Sequence, residues 1–380
     1  MRILIINGPN LNLLGTREPE TYGSDTLRSL ENEWTQHASR VRVGIETFQS
    51  NYEGAIIDAI QATPGRFDGI IMNAGALTHY SYAIYDALMA VDIPTVEVHI
   101  SNIYEREEWR HHSVTGEAAI ATIYGRGTVG YVNAIDLLTA HITMPHEIHS
   151  YGDGSGDLID VRTADIEGLA PVAVVVHGGF WRDVWKRDTM APLCAAISQL
   201  GWSTVNVEYS RGPGSFPDAI DDVARALEWV RSNADVYRFD TDRIVVIGHS
   251  AGGYLALKTA HADPSLAGVV ALAPVTDLAA ISAARPDDDP ATAFLGSSRD
   301  TDPHLWETAS LQGEPLVPVH LIHGSHDETV DPSHTTDYVG NHSEMATSSI
   351  IEEVGHMGVI DPLCDSLDAI YASLRALNER

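Results

Sequence analysis

Short apolar runs alternate with amphipathic stretches along the first 141 residues. The apolar runs have the length of buried strands, and they are Arg2–Asn7, Val41–Gln49, Gly69–Asn73, Pro94–His99 and Ala119–Tyr124. The amphipathic stretches have the period of helices that bury one face, and they lie near Asp25–Ser39, Glu53–Ala62, Tyr82–Ala90 and Val129–Ala140. Repeated strand–helix units of this kind predict a parallel sheet with helices on both faces. Five strands suit the flavodoxin-like order.

The pattern restarts after Met144-Pro145, which interrupts the last helical stretch. We therefore predict two domains, residues 1–143 and residues 144–380. The segment Glu147–Asp165 has the pattern of two strands joined by a turn, and it belongs to the second domain. Later strands alternate with helices, at Val172–Val176, Ser203–Val207, Arg243–Ile247, Val269–Leu272, Val319–Ile322 and Ser348–Val354. This pattern predicts a second and larger α/β sheet.

The amino-acid composition limits the kinds of molecule that the chain is expected to bind. The chain has 380 residues and a formal net charge of −30. A surface this acidic repels phosphate backbones and anionic membranes, which argues against nucleic-acid and membrane partners. Cys194 and Cys364 have neither the spacing of metal ligands nor that of a disulfide framework. The start MRILIINGPN lacks the apolar core of a signal peptide, and no run approaches the roughly 18 apolar residues of a membrane span. Together these features predict a cytoplasmic location.

Polar residues follow three of the predicted strands in the first domain. They occur in Asn7–Asn10, Asn73–His79 and Glu97–Asn102. Because the carboxyl ends of parallel strands meet at one edge of a sheet, these side chains should converge. The sequence therefore predicts a ligand-binding cleft at this edge.

Four motifs connect the first domain with a known family. INGPNLNLLGTREPETYG (residues 6–23), NAGALTHYSYAIYDAL (73–88), VEVHISN (96–102) and REEWRHHS (106–113) resemble type II 3-dehydroquinate dehydratases. The resemblance covers nearly all of residues 1–141. It implies loss of water from 3-dehydroquinate to give 3-dehydroshikimate, in the shikimate or quinate pathway. It also implies a homo-oligomer built from trimers, up to a dodecamer, and we predict neither a cofactor nor a metal.

The distribution of lysines bears on the mechanism. Loss of water β to a ketone needs a base for the α-proton and an acid for the leaving hydroxyl. The chain contains only Lys186 and Lys258, both in the second domain. A Schiff-base route is therefore closed unless one of them reaches the first domain. The remaining route passes through an enolate held by hydrogen bonds, which matches the mechanism of the type II family.

By the same resemblance, Tyr22 is the base. The guanidinium of Arg17, on the same loop, would stabilise a tyrosinate because it stays charged. His99 is the implied acid, since an imidazole titrates near pH 6.5 in water, and Glu97 is close enough in sequence to orient it. Asn10 is predicted to hold a water or an amide donor at the enolate oxygen.

Further residues match the substrate-binding positions of the family. They are Asn73, His79, Asp86, Ile100, Ser101 and Arg110. Arg110 could bind the substrate carboxylate as a fork, although the family binds it largely through backbone N–H groups near Ile100 and Ser101. No carboxylate or cysteine is placed to complete a metal site with His111-His112, for which we predict a structural role.

The second domain contains a different set of motifs. The strand ending at Ile247 continues into Gly248–Gly253, a G-x-S-x-G turn that would expose the Ser250 hydroxyl. After another strand comes His177–Trp181, whose Gly178 and Gly179 would supply an oxyanion-hole N–H group beside that of Ala251. Asp327 and His356 follow the last two strands, so the order Ser250, Asp327, His356 is that of α/β-hydrolases.

These motifs resemble the esterase and kynurenine-formamidase-like side of the α/β-hydrolase superfamily, over residues 147–380. The resemblance implies hydrolysis of a carboxylic ester or amide of unknown identity by a serine nucleophile. Asp331, on the same loop as Asp327, is the alternative triad acid. The alternative function for this domain is a non-catalytic binding or assembly module.

Overall fold

A computed structural model describes residues 1–16 and 25–378. The chain forms two compact units, Met1–Thr143 and Met144–Arg380. No helix within the described residues is both long enough and apolar enough to cross a lipid bilayer.

The first unit is built on a parallel five-stranded sheet. Its strands are β1 (Arg2–Asn7), β2 (Gly44–Gln49), β3 (Gly69–Asn73), β4 (Thr95–His99) and β5 (Ala121–Tyr124). The spatial order is β2-β1-β3-β4-β5 and every pair is parallel. This confirms the predicted flavodoxin-like sheet. The strands β3 and β4 are buried along their whole length, because helices cover both faces.

Four helices of the described residues pack on this sheet in pairs. They are α1 (Leu27–Arg40), α2 (Glu53–Gln61), α3 (Tyr82–Val91) and α4 (Val129–Thr143). Helix α2 packs with α3, and α1 packs with α4. Side-chain caps fix two of the helix starts, since Thr26 accepts a hydrogen bond from the Ser29 N–H and Ser81 accepts one from the Ile84 N–H.

The second unit contains an eight-stranded sheet. Its strands are β6 (Glu147–Ser150), β7 (Leu158–Arg162), β8 (Ala170–Val176), β9 (Ser203–Val207), β10 (Phe239–His249), β11 (Gly268–Leu272), β12 (Val319–Gly324) and β13 (Ala346–Ile351). The order is β13-β12-β11-β10-β8-β9-β7-β6. The hairpin β6–β7 joins the parallel strands through an antiparallel contact with β9. The predicted larger α/β sheet is therefore confirmed.

The helices described in this unit vary widely in length. They are α5 (Ala191–Gln199), α6 (Phe216–Ser232), α7 (Ala234–Tyr237), α8 (Ala251–Ala260), α9 (Leu278–Ala284), α10 (Pro290–Leu295), α11 (Pro303–Ala309), α12 (Ser333–Asn341) and α13 (Ser366–Asn378). Helices α9, α10 and α11 were not among the predicted elements. Each begins after an aspartate whose side chain accepts N–H groups of the first turn, namely Asp277, Asp289 and Asp302. These caps were the available signal, because helices of six or seven residues are too short for a clear period.

Candidate active sites

A cavity of about 90 Å³ lies in the first unit. Most predicted site residues line it, namely Asn10, Asn73, His79, His99, Ile100, Ser101 and Arg110. Asp86 does not: it is exposed on α3 and is absent from the lining of this cavity. Arg17 and Tyr22 lie outside the described residues. Most of the lining residues belong to the segments that follow β1, β3 and β4, as parallel strand ends require.

His99 is held by a buried carboxylate. The Nε2 atom of His99 lies 2.8 Å from Oε1 of Glu97, two residues earlier on β4. Glu97 is fully buried and His99 is 6% exposed. Since Nε2 faces Glu97, Nδ1 is the ring nitrogen left for a group in the cavity. The pair can therefore deliver a proton from a fixed imidazole orientation.

Three hydroxyl groups complete the environment of Glu97. Ser113 Oγ donates to Oε1 at 2.6 Å, while Thr115 and Thr78 donate to Oε2. Burial alone would raise the pKa of Glu97, but the hydrogen bonds from His99, Ser113 and Thr115 outweigh it and lower the pKa. The ionised carboxylate thus stabilises this unit above its ordinary pKa of 4.5, and that contribution is lost as the pH falls further.

Asn73 is oriented by a chain of buried polar groups. Its Nδ2 atom donates to the Tyr131 hydroxyl at 3.0 Å, and that hydroxyl donates to Asn7 Oδ1 at 2.7 Å. The Oδ1 atom of Asn73 accepts a hydrogen bond from the Gly75 N–H at 3.1 Å. Tyr131 also stacks on Trp34, with ring centroids 4.1 Å apart. Tyr131 was not among the predicted site residues, because it lies on α4 far from the motifs at the strand ends.

His79 presents an acceptor to the cavity. Its Nδ1 atom lies 2.8 Å from the carbonyl oxygen of His112. Burial lowers the pKa of His79, and the nearby charges of His99 and Arg110 lower it further, so the ring is neutral near pH 7. Because a carbonyl only accepts, Nδ1 carries the proton and Nε2 is free to accept a hydroxyl group.

Arg110 and Asn10 occupy other parts of the lining. The guanidinium of Arg110 lies 4.0 Å from the ring centroid of Trp109, and its Nε donates to Glu107 at 2.8 Å. Asn10 has a left-handed backbone with φ 69°, and its N–H donates to Asn51 Oδ1 at 2.9 Å. Asn51 thus holds the turn that carries Asn10.

In the second unit, Ser250 stands at a sharp turn between β10 and α8. Its φ of 55° and ψ of −114° are rarely occupied by residues other than glycine. A Cβ on Gly248 would lie 2.1 Å from the Gly252 carbonyl oxygen, and one on Gly252 would lie 2.3 Å from the His177 carbonyl oxygen. The flanking glycines are therefore required by close backbone contacts, as the G-x-S-x-G pattern predicts.

The segment containing Gly178 and Gly179 packs directly against Ser250. A Cβ on Gly178 would lie 2.9 Å from the Ser250 Cβ, and Gly179 has a φ of 114°. Ala251 is the first residue of α8, where N–H groups have no partner within the helix. Next to the glycines, His177 is buried and its Nε2 lies 2.9 Å from Glu208 Oε1. N–H groups from two segments are thus available close to Ser250.

His356 is bound to Asp327 rather than to Asp331. The distance from His356 Nδ1 to Asp327 Oδ2 is 2.6 Å. Oδ1 of Asp327 accepts the N–H groups of Thr329 and Val330 at 2.8 and 2.9 Å. Burial would raise the pKa of Asp327, but the hydrogen bonds from His323 and His356 and the charge of His356 lower it well below its usual value. Asp331 is exposed and accepts the Ser333 N–H at the start of α12.

Two further histidines support this arrangement and were missed as functional residues. His323 is fully buried, and its Nε2 lies 3.1 Å from the same Asp327 oxygen. Burial, followed by the charge of His356, lowers the pKa of His249, which is therefore neutral and donates through Nε2 to the His356 carbonyl oxygen at 3.2 Å. Among the described residues, the Ser250 hydroxyl has no hydrogen-bond partner. Within residues 1–16 and 25–378, no group of three or more His, Cys, Asp or Glu side chains is arranged to hold a metal ion.

Known proteins match the two units separately. A family model described as Dehydroquinase class II matches residues 1–139, and one described as BD-FAE matches residues 160–340. The Catabolic 3-dehydroquinase of Verticillium alfalfae is 53% identical over 147 residues, which are 39% of this chain and 98% of that protein. The 3-dehydroquinate dehydratase of Bacillus cytotoxicus is 52% identical over 134 residues, which are 35% of this chain and 92% of that protein.

A solved structure resembles the second unit. It is the hyperthermophilic esterase from the archaeon Pyrobaculum calidifontis, with a TM-score of 0.54 and 20% identity. The match covers 66% of this chain and 90% of that one. At this identity the likeness bears on the fold alone, and it confirms the predicted α/β-hydrolase fold.

Proposed function

The chain belongs to the dehydroquinase class II family through residues 1–139, and on that premise we propose that it is a bifunctional enzyme. The first unit dehydrates 3-dehydroquinate to 3-dehydroshikimate through an enolate. The second unit hydrolyses a carboxylic ester or amide with the triad Ser250, His356 and Asp327. We assign the first activity to residues 1–143 and the second to residues 144–380.

One observation carries the first proposal: in the buried Glu97–His99 pair, His99 faces a cavity lined by the predicted recognition residues other than Asp86. In our mechanism, Tyr22 as tyrosinate removes the α-proton beside the ketone. Asn10 stabilises the enolate oxygen directly or through a water. His99 then protonates the departing β-hydroxyl, so that water leaves and the conjugated enone forms.

Recognition of the substrate is divided among the other lining residues. We propose that backbone N–H groups near Ile100 and Ser101 bind the carboxylate, with Arg110 adding positive charge. Asn73, held by Tyr131, and the acceptor Nε2 of His79 bind ring hydroxyl groups. Purified protein with 3-dehydroquinate should produce the absorbance of the conjugated enone. A preparation that binds 3-dehydroquinate but forms no enone would contradict this proposal.

Replacing Tyr22 with Phe should lower kcat for dehydration by about 10³-fold, because a general base contributes roughly 10²- to 10⁴-fold. The KM for 3-dehydroquinate should change little, since Phe keeps the ring. Steady-state enone formation measures both constants. Tyr52→Phe is the matched control, because Tyr52 is exposed and lies outside the lining of the cavity. If Tyr22→Phe retains more than a tenth of kcat, the base is misassigned.

Replacing Glu97 with Gln should lower kcat for dehydration by about 10²-fold, because general-acid catalysis contributes roughly 10²- to 10⁴-fold and depends on the orientation of the acid. The lowered pKa of Glu97 keeps it ionised near neutrality, and its carboxylate holds Nε2 of His99 at 2.8 Å. Gln keeps the shape but loses the charge, and its NH₂ group must face one of the donors that the two carboxylate oxygens accept. Steady-state enone formation measures kcat, and Asp136→Asn, at the His37–Asp136 pair, is the control. An unchanged kcat would mean that the Glu97–His99 pair does not serve the dehydration.

We also propose that the chain forms a homo-oligomer built from trimers, up to a dodecamer. Asp86 supports this proposal, because it is exposed and outside the cavity of its own chain. Its predicted role in substrate binding therefore requires the cavity of another copy. Size-exclusion chromatography with light scattering measures the mass, and a monomer would contradict the proposal.

For the second unit, the observation that carries the proposal is the Asp327–His356 hydrogen bond beside the strained Ser250 turn. His356 takes the Ser250 proton as the hydroxyl attacks the acyl carbon, and the N–H groups near Gly178, Gly179 and Ala251 bind the resulting oxyanion. The hydrogen bond between Ser250 and His356 forms as substrate enters, since such bonds are often long in unliganded sites. A panel of neutral esters and formamides tests for turnover.

A further inference from the structure

Arg285 connects the two loops that flank the proposed hydrolase site. Its guanidinium lies 4.6 Å from the ring centroid of Phe180, the residue after Gly179. Its Nη2 atom also donates to the Thr329 carbonyl oxygen at 3.2 Å. Thr329 in turn binds Asp327 Oδ1 through its N–H at 2.8 Å. The guanidinium is therefore held between the oxyanion segment and the loop of the triad acid.

The backbone around Phe180 keeps this position fixed. Phe180 and Trp181 both have left-handed φ values, 51° and 57°. Trp181 is buried and stacks on Phe294, with ring centroids 4.2 Å apart. Because Trp181 anchors the loop, the Phe180 ring is a defined platform on which a cation can lie.

Arg285 differs from its neighbours in having no carboxylate partner. Arg182 pairs with Asp288 at 2.6 Å, Arg187 pairs with Asp160 at 2.8 Å, and Arg211 pairs with Glu208. Among the described residues Arg285 makes no ion pair, although the chain carries a net charge of −30. It is half-buried, and four of its five N–H groups have no acceptor in the part of the chain that the structure describes.

From this geometry we propose that Arg285 is an anion subsite, and that the hydrolase acts on esters carrying a carboxylate on the acyl or the alcohol half. The inference rests on the serine-hydrolase function proposed above. A guanidinium stacked on an aromatic ring keeps its edge free for a bidentate contact with a carboxylate. Selection of an anion by a protein this acidic needs such a local positive group, because the overall field repels anions.

Two matched pairs of esters test this subsite at constant ionic strength. The acyl arm compares 4-nitrophenyl hydrogen glutarate with its methyl ester, and the alcohol arm compares 3-acetoxybenzoate with its methyl ester. In at least one arm the anionic ester should have a kcat/KM about tenfold higher, the effect of one charge-assisted contact. Arg285→Gln should remove this preference, measured as the ratio of the two kcat/KM values within one pair, so that an effect common to both esters cancels. The arm that shows the preference identifies the half that binds Arg285.

Arg182→Gln is the matched control, because Arg182 lies two residues after Phe180, with its guanidinium 5.9 Å from the same ring, but is already paired with Asp288. It should keep the preference for the anion. The ratio of kcat/KM between the two esters of a pair does not depend on how much of the second unit is folded, so a variant that is partly unfolded still reports the preference. Arg285→Lys should keep a smaller preference, since Lys has the charge without the planar fork. Equal kcat/KM values in both arms, a preference that survives Arg285→Gln, or an equal loss in Arg182→Gln would overturn the proposal.

A labelling experiment separates failure of the subsite from failure of the hydrolase. Two ethyl 4-nitrophenyl alkylphosphonates are used, which carry no charge at phosphorus; the alkyl chain of one ends in a carboxylate and that of the other in the methyl ester of this carboxylate. His356 takes the Ser250 proton as the Ser250 oxygen bonds to phosphorus, the bond from phosphorus to the aryl oxygen breaks, and the release of 4-nitrophenolate is the readout. Faster release with the carboxylate probe supports the subsite. Release from the neutral probe without such a preference overturns the subsite alone, whereas no release from either probe rejects the hydrolase function and the subsite with it.

Discussion

Replacing Ser250 with Ala is expected to lower kcat for ester hydrolysis by about 10⁶-fold, the scale seen when a serine-hydrolase nucleophile is removed. Labelling by a fluorophosphonate should disappear completely, because no other side chain occupies the turn between β10 and α8. Alanine should be accepted at this position at a modest cost, although the φ of 55° is unfavourable for it as for serine. Dehydration of 3-dehydroquinate by the same protein should be unchanged.

The same experiment distinguishes a hydrolase from a binding module. Intact protein that neither reacts with the fluorophosphonate nor hydrolyses any ester or formamide of the panel would favour the non-catalytic alternative. Labelling that persists in Ser250→Ala would show that the nucleophile lies elsewhere. Ser298→Ala is a suitable control, since Ser298 pairs only with groups of its own turn.

Replacing Asp327 with Asn should reduce kcat for ester hydrolysis by about 10⁴-fold, as expected when a triad acid becomes an amide. The carboxylate accepts from His356 and His323 through Oδ2 and from two backbone N–H groups through Oδ1. An amide offers one oxygen in place of two, so one set of donors must face an NH₂ group. His356 would then lose either its orientation or the correct tautomer.

Asp331→Asn is the matched control for this prediction. Asp331 is exposed and accepts the N–H of Ser333, so an amide oxygen can replace it with little change. Its kcat should stay within about threefold of the parent protein. The assignment of the acid would be reversed if Asp331→Asn lost activity and Asp327→Asn kept it.

The strands of both sheets were predictable because the central ones are short, continuous apolar runs. Residues Gly69–Asn73 and Val172–Val176 are entirely buried, as expected for central strands that are covered by helices on both faces. The short helices α9, α10 and α11 were not predictable from periodicity. Their existence depends on aspartate caps and on packing against the rest of the unit, where Phe294 and Trp306 are buried.

The site residues also differ in whether their roles could be predicted from the sequence. Groups that lie on the strand ends or in the connecting motifs, such as His99 and Ser250, were predictable because the chain topology brings them to one edge. Groups that act by positioning another residue were not predictable. Tyr131 reaches Asn73 across 58 positions of sequence, and Ser113 reaches Glu97 across 16, with no motif that links them. Such contacts are set by tertiary packing, which no local pattern records.

The glycines around Ser250 have a consequence for directed evolution of this hydrolase. Positions 248 and 252 admit no Cβ because carbonyl oxygens lie 2.1 and 2.3 Å away, whereas a Cβ on Gly355, beside His356, would lie 3.6 Å from its nearest neighbour. Mutational libraries that seek new ester preferences should therefore keep the serine turn constant. They can place their substitutions on the loop that carries His356, the proposed general base.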